Sequence, residues 1–86
     1  MEEEHQSILV LYHKMSCPFC KKVRDYLKEI KKTIPMKDID KDPKAKEELL
    51  HLGGKSQVPC LFIDGAPLYE SDDIIEYLKE KKDILP

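Results

Sequence analysis

A short unbroken apolar run, Ile8-Leu9-Val10-Leu11-Tyr12, leads almost directly into Cys17-Pro18-Phe19-Cys20, and this junction constrains the chain more than any other segment. The run suits a strand buried on both faces. Beyond the cysteines, Val23, Tyr26, Leu27 and Ile30 recur at helical spacing with Lys and Asp between them, which predicts an amphipathic helix running to about Lys32. Pro18 fits the first turn of that helix, where a missing N–H costs nothing. A strand therefore delivers two cysteines to the start of a helix.

The remaining elements follow from similar signals. Pro35 ends the connection and Met36–Ile39 reads as a second strand. Asp42-Pro43 starts a second helix with an N-cap and a first-turn proline. Ala45, Leu49 and Leu52 form its expected buried stripe, and Gly53-Gly54 stops it. Cys60–Ile63 reads as a third strand, Asp64-Gly65 as a hairpin turn, and Pro67–Tyr69 as a short edge strand. Ser71 is expected to cap a last helix, with Asp72 and Asp73 in its first turn and Ile74, Ile75 and Leu78 facing inward. The order β-α-β-α-β-β-α predicts an α/β domain: a mixed four-stranded sheet, its first two strands joined by a right-handed parallel crossover, flanked by three helices.

With 86 residues there is room for one domain with a modest core, spanning 1–86, whose residues 1–6 are expected to fray. Hydrophobic residues make up 41% and charged residues 37%, a soluble globular balance. The net charge of −2 argues against nucleic acid or an anionic membrane as partner. No apolar run approaches the length of a membrane span. Met1-Glu2-Glu3-Glu4 lacks the basic and apolar regions of a secretory signal, so a cytoplasmic, reducing setting is expected. Three cysteines there read as catalytic, metal-bound or buried rather than as a disulfide framework.

The spacing of Cys17 and Cys20 carries the chemistry. Side chains three apart within a regular helix have Cβ atoms about 5–6 Å apart, whereas a disulfide needs about 3.5–4.5 Å. The pair closes most easily with Cys17 at the non-helical N-cap and Cys20 in the first turn. There Cys17 faces the free N–H groups and positive end of the helix, a setting that favours a thiolate, and Lys14, Lys21 and Lys22 add positive charge. Cys17 is then the nucleophile that forms a mixed disulfide, and Cys20 the resolving thiol. Half of a structural zinc site is the competing reading. It would draw further ligands from Cys60, His13, His51 or His5, yet the chain has no second CxxC and no paired-histidine motif.

Taken together, Lys14-Met15-Ser16-Cys17-Pro18-Phe19-Cys20, Gln57-Val58-Pro59 and Phe62-Ile63-Asp64-Gly65 followed by Asp72-Asp73 resemble, in order and spacing, the three signatures of glutaredoxins. The resemblance spans about Ile8 to Lys82. It implies a thioredoxin-like fold and a dithiol thiol–disulfide oxidoreductase that reduces protein disulfides or glutathione mixed disulfides. Glutathione would be a co-substrate, with no tightly bound cofactor and no metal. Cys17 and Cys20 would be catalytic. The glutathione site would comprise Lys14, Phe19, Gln57, Val58, Pro59, Ser71 and Asp72. Within it, cis-Pro59 sets the Val58 backbone beside Cys17 for strand-like pairing, and Lys14 meets the glycine carboxylate. Asp72 meets the γ-glutamyl amine, the helix start at Ser71 and Asp72 receives its carboxylate, and Phe19 flanks the thiol.

Three positions depart from the family. It commonly has Gly-Gly where this chain has Tyr69-Glu70, and threonine where it has Gln57. Gln57-Val58-Pro59 and Glu70-Ser71 resemble instead the N-terminal domain of glutathione transferases, which shares the fold and uses Glu-Ser for the γ-glutamyl group. Disulfide-containing or glutathionylated proteins are the implied partners of a monomer. A thioredoxin-like donor reduced by a flavin reductase and a carrier of an iron–sulfur cluster are the alternatives. Of the other residues, Cys60 reads as a small buried hydrophobe, His13 as a solvated loop residue, His51 as surface, and Tyr12 and Tyr69 as packing.

Overall fold

The computed structural model describes residues 8–85, so the expected fraying of residues 1–6 lies outside the described residues. The elements are β1 (Leu9–His13), α1 (Pro18–Glu29), β2 (Met36–Asp38), α2 (Pro43–Gly53), β3 (Cys60–Ile63), β4 (Ala66–Tyr69) and α3 (Ser71–Glu80), followed by a 3-10 turn at Lys82–Ile84. The sheet order is β2-β1-β3-β4. β1 and β2 are parallel, with Leu11 opposite Met36. β1 pairs antiparallel with β3, Leu11 opposite Leu61, and β3 antiparallel with β4, Leu61 opposite Leu68.

Side-chain alternation along β1 and β3 divides the interior into two layers. Leu9, Leu11 and Leu61 join Val23 and Leu27 of α1 and Ile74 and Leu78 of α3 on one face. Tyr12, Cys60 and Phe62 join Ala45 and Leu49 of α2 on the other. Both central strands are thus covered on both sides, which is why their sequences are nearly continuous in apolar residues. At the β3–β4 hairpin, Asp64 (φ 51°) and Gly65 (φ 89°) both take positive φ, the backbone that matches strand twist in a two-residue turn.

The structure differs from the sequence expectation in several details: β2 ends at Asp38 rather than Ile39 and β4 begins at Ala66 rather than Pro67. β1 begins at Leu9, and Ile8 is exposed, its N–H donating to Asp64 Oδ1 at 2.8 Å. α1 ends at Glu29 rather than Lys32: Lys31 turns left-handed (φ 57°), and the N–H groups of Lys31 and Lys32 fold back onto the carbonyls of Lys28 and Leu27. Leu52 is 57% exposed, because the inward position of the last α2 turn is taken by Gly53. The Tyr69 hydroxyl donates to the Gly53 carbonyl at 3.1 Å, so close that a Cβ on Gly53 would collide with it. Ser71 does not cap α3. Glu70 is the N-cap residue, at φ 76°, and Ser71 is the first helical residue with only 7% exposure.

Packing at the end of β1 yields a pH prediction. His13 is buried rather than solvated, at 7% exposure. Burial first, and the nearby Arg24 guanidinium second, hold its pKa below the ordinary histidine value, while Asp38 opposes them. A histidine with a depressed folded pKa contributes stability that is present above its unfolded value of about 6.5 and is lost as pH falls through the folded value. Urea denaturation should therefore show stability declining as pH drops below about 6.5. His13→Gln should flatten that decline; an unchanged pH profile would remove His13 as its cause.

Candidate active site

The turn after β1 builds the nucleophile's position from backbone geometry. Cys17 has non-helical φ −87° and ψ 119° and serves as the N-cap of α1. Its N–H donates to the Lys14 carbonyl at 3.3 Å, closing the turn. Its Sγ accepts the Cys20 N–H at 3.3 Å, taking the place of the hydroxyl or carboxylate that usually caps a helix. Pro18 occupies the first helical position, where no N–H is needed.

The two thiols are unequal. Cys20 is fully buried and Cys17 has 9% exposure at the surface edge. Burial pushes the Cys20 thiol up to about 12, aided by its hydrogen bond with Cys17, while the Lys14 backbone amide and Arg24 pull it the other way. The Cys17 sulfur accepts the Cys20 N–H and faces the Val58 carbonyl, and burial holds the Cys20 thiol protonated beside it. All three cysteines are free thiols. Cys60 is fully buried in the α2 layer, where burial raises its thiol to about 11, consistent with a packing role.

The loop before β3 forms the other wall. The Val58–Pro59 peptide bond is cis, and the Val58 carbonyl lies 3.8 Å from Cys17 Sγ. Beside it opens a cleft of about 550 Å³ whose walls bring together Phe19, Gln57, Val58, Pro59, Ser71 and Asp72, six of the seven residues expected for glutathione. The seventh, Lys14, is half-buried in the turn and outside the cleft wall. Lys22, Glu70 and Asp73 complete the wall. Phe19 is exposed at its rim, as an apolar flank needs to be.

Charge in the cleft has a feature the sequence did not disclose. Lys22 Nζ of α1 donates to Asp72 Oδ1 of α3 at 2.6 Å, across the space between the two helix starts. Both side chains are more than half exposed, so the pair adds little stability and is open to exchange with a charged ligand. Glu70 stands in the left-handed region that favours glycine, the residue glutaredoxins commonly have there.

Sequence reasoning missed Arg24. It follows Cys20 by one helical turn, on the side of α1 that also carries Val23 and Leu27. Its Nη1 lies 3.1 Å from His13 Nδ1 and donates to the Lys14 carbonyl at 3.3 Å. A cation inside an otherwise apolar stripe was the available signal.

Three comparisons bear on this arrangement. The family model described as Glutaredoxin matches residues 9–67. An uncharacterized glutaredoxin-like 8.6 kDa protein in the rubredoxin operon of Clostridium pasteurianum is 38% identical over 60 residues, covering 67% of this chain and 77% of that protein. Among solved structures, the thioredoxin-like protein BC3987 superposes with a TM-score of 0.70 at 28% identity, covering 84% of this chain and 96% of that one. A buckwheat glutaredoxin–glutathione complex superposes with a TM-score of 0.67 at 22% identity, covering 91% and 74%.

Proposed function

Since this chain belongs to the glutaredoxin family of thioredoxin-fold redox proteins, we propose that it is a dithiol oxidoreductase of a reducing cytoplasm that uses glutathione to reduce glutathione mixed disulfides and protein disulfides. The observation that carries the reading is the Cys17 sulfur at the N-cap of α1, with the Cys20 N–H on one side and the Val58 carbonyl on the other. In this reading Cys17 Sγ attacks a substrate sulfur and releases the first thiolate. The Cys20 N–H and the helix dipole stabilise negative charge on Cys17 before attack and when it later leaves. Glutathione occupies the cleft extended along Val58, and Asp72 receives its ammonium once the Lys22 contact opens. The buckwheat neighbour, solved with glutathione, supports that choice of ligand.

A second reading is favoured by the Lys22–Asp72 pair, which engages the carboxylate the ammonium needs. The protein would then be a thioredoxin-like donor reduced by a flavin reductase, a reading compatible with its similarity to BC3987. Reduction of a glutathione mixed disulfide, coupled to glutathione reductase and NADPH, separates the two. Turnover that requires glutathione is the expected result. Inactivity there with turnover restored by a thioredoxin reductase would replace the first reading by the second.

A further inference from the structure

Arg24 occupies a position with a consequence for the second half of the thiol exchange. Its guanidinium reaches from α1 under the active-site turn to the end of β1, touching His13 Nδ1 and the Lys14 carbonyl. A guanidinium has donors only, so His13 Nδ1 accepts and the imidazole is the neutral tautomer with its proton on Nε2. That carbonyl also receives the Cys17 N–H. Arg24 is thus tied to the backbone that sets the nucleophile, one helical turn from the buried Cys20. An arginine stays protonated throughout the working pH range.

We propose that Arg24 is the positioning residue of the resolving step, supplying the fixed positive charge against which Cys20 becomes a nucleophile. The inference rests on Cys17 and Cys20 acting as an exchanging pair. In the mixed disulfide Cys17–S–S–R, the Cys17 sulfur is bonded to the substrate and no longer opposes ionisation of Cys20 as the free thiol pair does. Cys20 Sγ loses its proton and attacks Cys17 Sγ. The Cys17–Cys20 bond forms, the bond from Cys17 to the substrate sulfur breaks, and RS⁻ leaves with the electron pair and takes up a proton from solvent. The dithiol is oxidised by two electrons and the substrate disulfide is reduced by two. The groups acting on Cys20 are Cys17, the Lys14 amide and Arg24. Behind Arg24 stand neutral His13 and, from β2, the Asp38 carboxylate, which acts on His13. The amide is fixed in the turn, which leaves Arg24 as the full charge favouring the anion.

The test is single-turnover reaction of the reduced protein with the chromogenic aryl disulfide 5,5′-dithiobis(2-nitrobenzoate). The first coloured thiolate reports attack by Cys17 and the second reports resolution by Cys20. Removing an opposite charge raises a thiol's pKa by about one unit or more. The thiolate fraction then falls about tenfold, while the more basic thiolate is about threefold more reactive. Arg24→Met should therefore slow the second phase about threefold or more near neutral pH and move its pH midpoint upward. The first phase should stay within about twofold, and Arg24→Lys should restore most of the second-phase rate. If Arg24→Met folds poorly, Arg24→Gln gives the same reading, because its amide can donate to the Lys14 carbonyl without charge. Equal slowing of both phases, or an unmoved second-phase pH midpoint, would overturn the role of Arg24. Absence of a second thiolate from the unaltered protein would instead refute the exchanging pair itself.

Discussion

Cys17→Ser is expected to abolish glutathione-dependent turnover, by at least about a thousandfold, because a serine hydroxyl at this N-cap is not ionised near neutral pH and cannot form a mixed disulfide. Cys20→Ser should behave differently. A glutathione mixed disulfide on Cys17 is open to attack by a second glutathione, so deglutathionylation should continue. Reduction of a protein disulfide should be lost, because release of the bound protein needs the internal thiol. The unequal placement of the two sulfurs underlies this split: Cys17 sits at the surface edge by the cleft, and Cys20 is fully enclosed. Both variants should be compared on one low-molecular-weight mixed disulfide and one protein disulfide. Turnover surviving in Cys17→Ser would reassign the nucleophile, and equal loss on both substrates in Cys20→Ser would show that resolution is obligatory for either.

The second large effect is on stability. Leu61 is fully buried in the middle of β3, which pairs with β1 on one side and β4 on the other. Leu61→Ala should cost roughly 2–5 kcal/mol through lost burial and the cavity left behind. That is a large part of the 5–15 kcal/mol typical of a whole domain. The melting temperature should fall by about 10 °C or more, since each kcal/mol is worth about 4–8 °C in a domain of this size. Leu52→Ala provides the contrast. Leu52 projects into solvent from the end of α2, and its removal should change stability by no more than about 0.5 kcal/mol. Thermal melts of the two variants check this, and equal losses would contradict the division between core and surface.

The cover of β1 on two faces was legible from its apolar run, its parallel pairing with β2 from the strand–helix–strand order, and the β3–β4 hairpin from Asp64-Gly65, whereas the pairing of β1 with β3 was not. The N-cap placement of Cys17 was also legible, because Pro18 tolerates only an early helical position and the disulfide distance excludes two sites inside a regular helix. The misread residues have two kinds of cause. For Leu52 and His13, local rules of helical spacing and loops give way to neighbours distant in sequence: Tyr69 against Gly53, and Arg24 against His13. For Ser71 and the end of α1, the backbone itself turns, at Glu70 and Lys31. Ser71 turns inward because β4 passes into α3 through the positive φ of Glu70.

The sequence alone determined the element order, a mixed sheet with helices on its faces and the place of the cysteine pair at the start of α1, because apolar periodicity and prolines act over a few neighbouring residues. Only the tertiary structure decided that Lys22 reaches Asp72 across the cleft, that Lys14 stays outside the cleft wall, and that Arg24 lies beneath the active-site turn. Those placements depend on separate elements, and the packing of α1 against α3 and of the β3 approach against α1 sets their distances. No local pattern of residues encodes such distances.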